Sequence, residues 1–574
     1  MVKQIKINKH DQIISLGLTT GIHDTSASIV INGKITAASE EDRFDRDKHS
    51  GSFPFHAIKY CIEKSHIKNI NEIDEVCIGM DWMERGKNRF IMRYDKKDTQ
   101  LTKQSVLQVL NDIERTEKVE KVFREELGYL GKIKFYNHSL CHASVCYYPS
   151  PFLSAVILII DGCGEKASTT IFSAKDNNFN KLFQINYPHS IGRFYGWMTD
   201  YLGFKMDSDE GKVMGLAAFG DESLIKKMRE VLIVKNNGTY QLDLSYFEFQ
   251  KDNSKGVSKK FIEVFGPKRY KKEEITIRHK NIAKAVQAVT EEAILALSKL
   301  AKKLSNEENL CLGGGVILNS VANGKILKSS IFKQIYIYPA AGDNGAGLGA
   351  ALFSHFSKAK KKTFYEENQN PYLGYESNDN EILNTIKKYC LNYYKPKNTS
   401  KEIARLLSEN MIIGHYNGQM EFGPRGLGNR SIFADPRKSE NKNLVNSKIK
   451  FRESFRPFAP TVLEEFANEY FEMCNVDSPY MIVTFKTRID KISLIPSVVH
   501  VDGTARVHTI TKEQNERFYD IINEFNNITG IPMLLNTSFN KAGEVVVTTP
   551  EQAIETFVSS GLDVLVLGNF IIKK

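Results

Sequence analysis

The chain has 574 residues, 41% of them hydrophobic and 25% charged, and a formal net charge of +10. That length passes the ~250 to 300 residues at which one core stops growing, so at least two domains are expected, and the ordinary composition excludes a disordered or fibrous protein. The longest purely aliphatic stretch, Ala155 to Ile160, is too short to cross a bilayer, which argues against a membrane-spanning helix.

The N-terminus starts basic but runs into Asn8, Lys9, His10 and Asp11 instead of an apolar segment, so no secretory signal is expected and the cytoplasm is the expected compartment. The 78 basic and 68 acidic residues are mostly interspersed, which predicts a solvated basic surface, with nucleic acid not an expected partner. Two basic runs, Lys268-Arg269-Tyr270-Lys271-Lys272 and Lys358-Ala359-Lys360-Lys361-Lys362, are expected to be exposed loop or linker. Eight cysteines without a C-x2-C pair read as buried free thiols, not as disulfides or a zinc ribbon.

Ile13 to Ala38 reads as strand, polar turn, strand, Asn32-Gly33 hairpin and strand, because Asn-Gly suits a type I′ turn. The polar turn carries His23, the candidate general base: an imidazole with an ordinary pKa near ~6.5 can take the proton of an attacking alcohol at neutral pH. Asp24 would orient it; a plain strand-end cap is the alternative. His138 and His142, four apart, share one helix face. The buried strand Ala155 to Ile160 delivers Asp161 in the turn Asp161-Gly162-Cys163-Gly164-Glu165, and the strand Gln334 to Tyr338 is followed by Asp343. Two imidazoles and two carboxylates suit a divalent transition ion such as iron, manganese or zinc better than calcium.

Ala155 to Ile185 repeats the strand, turn and hairpin of the N-terminus. By analogy with actin-like and sugar-kinase-like ATPases, where duplication builds two lobes around a nucleotide cleft, the first domain is expected to be α/β and actin-like. Asn281 to Leu304 carries a helical apolar stripe. After the strand Leu310 to Leu312, the glycines Gly313, Gly314 and Gly315 either let backbone approach a ligand or make a tight turn.

The polar stretch Ser357 to Tyr372 is the expected boundary, giving domains 1–357 and 372–574. The second alternates strand and helix, with strands at Ile412 to Tyr416, Pro532 to Leu535 and Asp563 to Leu567 and a helix begun by Thr549-Pro550 and ended by Gly561. Glu421 to Ser431 interleaves glycine with Arg425 and Arg430, and Lys448, Lys450, Arg452 and Arg456 follow. Arginine grips phosphate oxygens bidentately, so this stretch predicts a phosphate or polyphosphate pocket. Arg506 and the turn Asn536-Thr537-Ser538-Phe539-Asn540 are candidates to complete it. The alternative is a surface ion-pair network with Glu453 and Asp435.

The chain resembles the O-carbamoyltransferases of antibiotic, nodulation-factor and polysaccharide biosynthesis almost end to end. The matching stretches include His23 to Ala27, Ser39 to Phe44, the H-x3-H pair, Gly211-Lys212-Val213-Met214-Gly215, the triple glycine, Gly423-Pro424-Arg425, Arg456-Pro457-Phe458-Ala459-Pro460 and Asn536 to Asn540. The resemblance implies a duplicated actin-like (ASKHA, ribonuclease H-like) domain followed by a YrdC-like α/β domain. It implies that ATP, with Mg2+, and carbamoyl phosphate give carbamoyl adenylate, whose carbamoyl group passes to a hydroxyl of a small sugar or glycoside. By the same resemblance Lys450, Arg452, Arg456, Arg506 and Ser538, with Arg425 nearby, would hold carbamoyl phosphate and the ATP phosphates. His138, His142, Asp161 and Asp343 would ligate a metal, ferrous iron by family precedent, and Gly162, Gly164, Lys212, Gly313, Gly314, Gly315 and Asn319 would bind carbamoyl adenylate. A homodimer is a candidate assembly. Cys141 between the histidines and a charged, aromatic insertion at Leu242 to Lys280 depart from the pattern. Transfer of a (threonyl)carbamoyl group to tRNA, or a non-catalytic nucleotide-binding scaffold, are the competing readings; the C-x2-C pairs of a hydrogenase-maturation relative are missing.

Overall fold

The computed structural model describes residues 12–94, 103–250 and 255–574. The first sheet takes strands β1 (Ile14–Thr19), β2 (Ser26–Ile31), β3 (Lys34–Glu40), β4 (Glu75–Ile78) and β5 (Lys132–Phe135) in the order β3-β2-β1-β4-β5. The second takes β6 (Ser154–Ile160), β7 (Ala167–Lys175), β8 (Asn178–Asn186), β9 (Asn309–Gly313) and β10 (Gln334–Ile337) in the order β8-β7-β6-β9-β10. In each, three strands form an antiparallel meander whose first strand also begins a parallel run of three. The two sheets therefore share strand order and sense. His23 and Asp24 lie in the turn from β1 to β2, and Asp161 lies in the corresponding turn from β6 to β7. Asn32 and Gly33 both take positive φ, the conformation a type I′ hairpin needs.

The third sheet belongs to the C-terminal part. Its strands are β11 (Ile413–Tyr416), β12 (Arg430–Ala434), β13 (Ala459–Leu463), β14 (His508–Ile510), β15 (Met533–Ser538), β16 (Val564–Leu567) and β17 (Phe570–Lys573), ordered β14-β13-β15-β12-β11-β16-β17. The Pro550–Val558 helix opens on a capping box of Thr549 and Gln552, as its sequence predicts. Alternating strands and helices make the whole molecule mixed α/β.

The central strand β6 is buried on both faces, which is why it reads as an unbroken aliphatic run. The 29-residue helix Ile277–Ser305 packs its stripe, including Ile282, Val286, Val289, Ala293 and Leu297, into the same core. So do Phe247, Phe249, Phe261 and Phe265 of the insertion, stacked among Trp197 and Tyr201. The core does not stop at the expected boundary: Phe422, Leu427, Ala459 and Tyr480 to Ile482 belong to it. At this junction the buried Glu40 carboxylate accepts from the Asn344 side chain and from the Gly423 backbone N–H, each at 3.0 Å, with Arg43 at 3.4 Å. Arg46 donates across it to the carbonyls of Val545 and Val546.

Three expectations change. The stretch 357–372 is not a free linker: Asn368 is buried and bonds the backbone of Gly33 and Ile35. Lys362 is buried, not exposed, because its ammonium donates to the carbonyls of Tyr147, Ser150 and Phe152 at 2.7–2.8 Å, and Arg269 is likewise buried against the Leu202 carbonyl. All eight thiols are free, but Cys390 and Cys474 are exposed, since both sit in turns outside the cores. Among the described residues no helix is long and apolar enough to cross a membrane.

Replacing Lys362 with Met leaves three carbonyls without their donor. A loss of about 1–3 kcal/mol is expected, read as a lower midpoint in urea unfolding; an unchanged midpoint contradicts this role.

Candidate functional site

The His138–Tyr147 helix begins on an Asn137 cap, whose side chain accepts the Leu140 N–H. Glu165 secures that start by accepting from the His138 N–H at 2.8 Å, from the Asn137 amide at 2.8 Å and from the Asp81 N–H at 3.0 Å. The turn bearing Asp161 is thereby bound to the helix bearing both histidines. His138 donates its Nδ1–H to the Gly79 carbonyl at 2.8 Å, and its Nε2 faces His142 Nε2 at 3.1 Å and oxygens of Asp161 and Asp343 at 3.4 Å each. His142 Nε2 stands 3.3 Å from Asp343.

Both imidazoles are buried and both carboxylates are 13% exposed. The four ligand atoms lie within 4.8 Å of one another, while His142 Nδ1 has no hydrogen-bond partner. Lone pairs converging in this way repel unless protons or a cation lie among them. Burial alone would lower the pKa of His138, but the hydrogen bonds of Asp161 and Asp343 raise it well above the ordinary value, and the histidines in turn hold Asp343 well below the carboxylate range against its burial. A nitrogen- and oxygen-bearing set of this charge fits a divalent transition ion.

His23 borders the same carboxylate. Its Nδ1 bonds Asp24 at 2.7 Å and its Nε2 stands 4.0 Å from Asp343. Burial opposes the charge, yet the bond to Asp24 and the field of Asp343 push its pKa up to about 10. His49 clamps the other Asp24 oxygen at 2.7 Å, and Asp24 itself takes a positive φ of 58°.

One cavity of about 550 Å3 runs from this centre to the C-terminal part. His23, Asp24, Asp161, Gly162, Gly315, Asn319 and Asp343 line one end, and Arg425, Lys450, Arg452, Arg456, Arg506 and Ser538 line the other. Gly315 donates its N–H to Asp161 at 3.3 Å. Its neighbour Gly314 has a φ of 92° and a Cβ there would lie 2.3 Å from the Ile160 carbonyl oxygen, so only glycine permits that turn. Gly313, Gly314, Gly164 and Lys212 do not line the cavity: Gly164 packs on the His138 ring, and Lys212 pairs with Asp209 and Glu453 at 3.1 Å.

At the far end Lys450 donates to the Ser538 carbonyl and the Asn540 side chain at 2.7 Å. Arg452 bonds Asn446 and lies over the Phe458 ring, and Arg425 reaches the Leu318 carbonyl of the N-terminal part. Asp435 pairs with Arg437 and Glu453 with Lys212, so the alternative of an ion-pair network is not what forms: among the described residues none of the five cations has a carboxylate partner. Burial and mutual repulsion set their proton affinities. Arg425 falls to about 10 and Arg452 to about 9 through burial and then Arg456, and Lys450 and Arg506 fall well below their ordinary values. A bound polyanion would reverse that penalty.

Two family models match the chain, the carbamoyltransferase N-terminus over residues 14–352 and the carbamoyltransferase C-terminus over residues 404–574. The chain belongs to the carbamoyltransferase family. It is 34% identical to nodulation protein NolNO of Sinorhizobium fredii over 97% of this chain and 79% of that protein. Uncharacterized proteins of Synechocystis sp. (35% identity, 97% and 96% covered) and Methanocaldococcus jannaschii (32%, 97% and 99%) are similar throughout. Among solved structures, T. kodakarensis HypF aligns with a TM-score of 0.31 at 11% identity, over 62% of this chain and 48% of its own. The protein is accordingly a transferase that moves a carbamoyl group.

Sequence reasoning assigned no role to Glu40, Lys48 or His49, all of which face the cavity. Glu40 works through Asn344 and Gly423, far along the chain, and His49 through Asp24 in a different turn, and residue spacing carries no such signal.

Full-length protein dialysed against Fe2+, Mn2+ or Zn2+ is expected to retain one ion per chain by atomic emission. His142→Ala and Asp343→Asn are expected to weaken retention beyond the roughly tenfold to hundredfold of an outer-shell change, and retention should fall as pH drops and protons compete for His138, whose pKa is raised. Stoichiometric binding by both variants contradicts the assignment.

Proposed function

We propose that this carbamoyltransferase makes carbamoyl adenylate at the cationic end of the cavity and transfers its carbamoyl group to an acceptor hydroxyl at the histidine end. The observation that carries the reading is one shared cavity, lined both by five cations that have no carboxylate partner among the described residues and by the imidazole–carboxylate cluster.

Carbamate is a poor electrophile until its oxygen carries a good leaving group. In the reading, water cleaves carbamoyl phosphate to carbamate and phosphate beside Lys450, Arg452, Arg456 and Arg506. A carbamate oxygen then attacks the α-phosphorus of Mg2+-bound ATP and pyrophosphate leaves. The guanidinium groups of Arg452 and Arg425, buried and fixed by Asn446, Phe458 and the Leu318 carbonyl, stabilise charge developing on phosphate oxygens without reorganising. Carbamoyl adenylate then moves within the cavity, sheltered from water. Domains 1–357 and 372–574, the second YrdC-like, would divide these two tasks.

At the other end the acceptor hydroxyl attacks the carbamoyl carbon and AMP departs. A divalent ion held by His138, His142, Asp161 and Asp343, iron by family precedent, would supply Lewis-acid charge against the leaving phosphate. His23 takes the hydroxyl proton. It can do so only when Asp343 no longer pulls on its Nε2, because with both Asp24 and Asp343 charged it stays protonated to about pH 10. Positive charge beside Asp343 provides that release, and Asp24, clamped by His49, then fixes the ring. A sugar or glycoside is the acceptor class we favour.

Incubation with ATP and labelled carbamoyl phosphate should release pyrophosphate. Lys450→Ala and Arg456→Ala are each expected to lower that release about 100- to 1000-fold while keeping the metal; His23→Gln is expected to preserve release and abolish carbamoylation of the acceptor. Pyrophosphate release that is insensitive to Lys450 and Arg456 contradicts the reading.

A further inference from the structure

The histidine end of the cavity contains a cation that neither half of the reaction uses. Arg85 is 5% exposed, lines the cavity, and has an Nε with no hydrogen-bond partner. Among the described residues its one side-chain polar contact is a guanidinium N–H 3.9 Å from the Met80 sulfur, and it lies over the Trp82 ring at 5.2 Å. Arg115 covers the same ring at 4.7 Å, so it cannot rotate away freely. Among the described residues Arg85 has no acidic partner: Asp112, the buried carboxylate beside it, is taken by Arg89 and Arg115 at 2.8 Å each.

Position matters as much as charge. The chain passes from Gly79, whose carbonyl orients His138, to Met80, which touches Arg85. Arg193 approaches the turn bearing Asp161, with its Nε 3.8 Å from where a Gly162 Cβ would stand. Both guanidinium groups line the same cavity as the His23–Asp343 end and both bear on Cys163, in the turn that carries Asp161. Of the nearby acids, Asp24 is held by His23 and His49 and Asp207 pairs with Arg193 at 3.6 Å, while Glu210 accepts the Asp207 N–H at 2.7 Å and burial raises its pKa. Among the described residues Glu210 is the one of these acids without a cation or histidine partner, and its burial disfavours the charged form, whereas an anion would find in Arg85 a desolvated guanidinium.

We propose that Arg85, assisted by Arg193, is an acceptor-binding subsite that selects an acceptor carrying a negative group next to the reacting hydroxyl. This rests on the function proposed above and adds the substrate class: an acidic sugar or a sugar phosphate. A planar fork held by Trp82 suits either a carboxylate or a phosphate. Arg85 acts on the acceptor's charged group and takes no part in bond making.

Calorimetric titration of the full-length protein with methyl glucuronide, glucose 1-phosphate and methyl glucoside tests it. One of the two anionic probes is expected to bind at least tenfold more tightly than the neutral glucoside, and which one identifies the anion. In Arg85→Gln that preference should fall roughly 10- to 100-fold, and Arg85→Lys should restore part of it, which a merely structural role would not do. Equal binding of all three probes, no binding, or a preference that survives Arg85→Gln overturns the proposal. ATP-dependent pyrophosphate release from carbamoyl phosphate is measured in parallel and is expected to be unchanged in Arg85→Gln. Its absence from the wild type sinks the adenylate reading, whereas loss of the anion preference alone sinks this one.

Discussion

The carboxylate of Asp343 holds three imidazoles within 4.0 Å, those of His138, His142 and His23. Its backbone carbonyl accepts from the Thr19 hydroxyl, which in turn accepts the Gly347 N–H, so the residue is fixed to the end of β1. Asp161 arrives from β6 of the second sheet, and the two histidines from the helix between the sheets. The charge centre exists only when both sheets are folded and docked. Burial would strip these groups of charge if they stood alone; together they retain it, and the same mutual dependence makes the cluster sensitive to any cation or proton placed in it.

A second constraint joins that centre to the C-terminal part. Glu40 ends β3, and its buried carboxylate accepts from Asn344, next to Asp343, and from Gly423, two residues before Arg425. One side chain therefore sets the loop of Asp343 against the cationic loop, and the shared core from Phe422 to Ile482 leaves the two parts little freedom to separate. The cations gain from being buried there only if an anion joins them. Burial that costs the free protein would be recovered on binding a polyanion, and the cost would discriminate against neutral ligands.

Much of this was legible in the residues. The H-x3-H spacing, the aspartates at strand ends and the arginine-rich Gly loop are local patterns, and strands such as β6 announce themselves by unbroken aliphatic runs. The family resemblance joined them into one reaction. What was not legible depended on distance in the chain: that Lys362 is buried by three carbonyls from residues 147–152, that His49 supports Asp24, and that Arg85 stands beside a carboxylate already taken by two other arginines. A basic run in isolation looks solvated because most are; only the carbonyls brought in by folding reverse the balance for Lys362 and Arg269.

The claim on which the account turns is that the activated carbamoyl group never leaves the chain. Mixing the Lys450→Ala protein, which keeps the transfer centre, with His138→Ala, which keeps the cationic end, tests it directly by acceptor carbamoylation. The account predicts that the mixture stays as inactive as either variant, because an anhydride made in one molecule cannot enter the cavity of another before water destroys it. Restoration of transfer on mixing would show that the intermediate travels through solvent and would contradict the enclosed route.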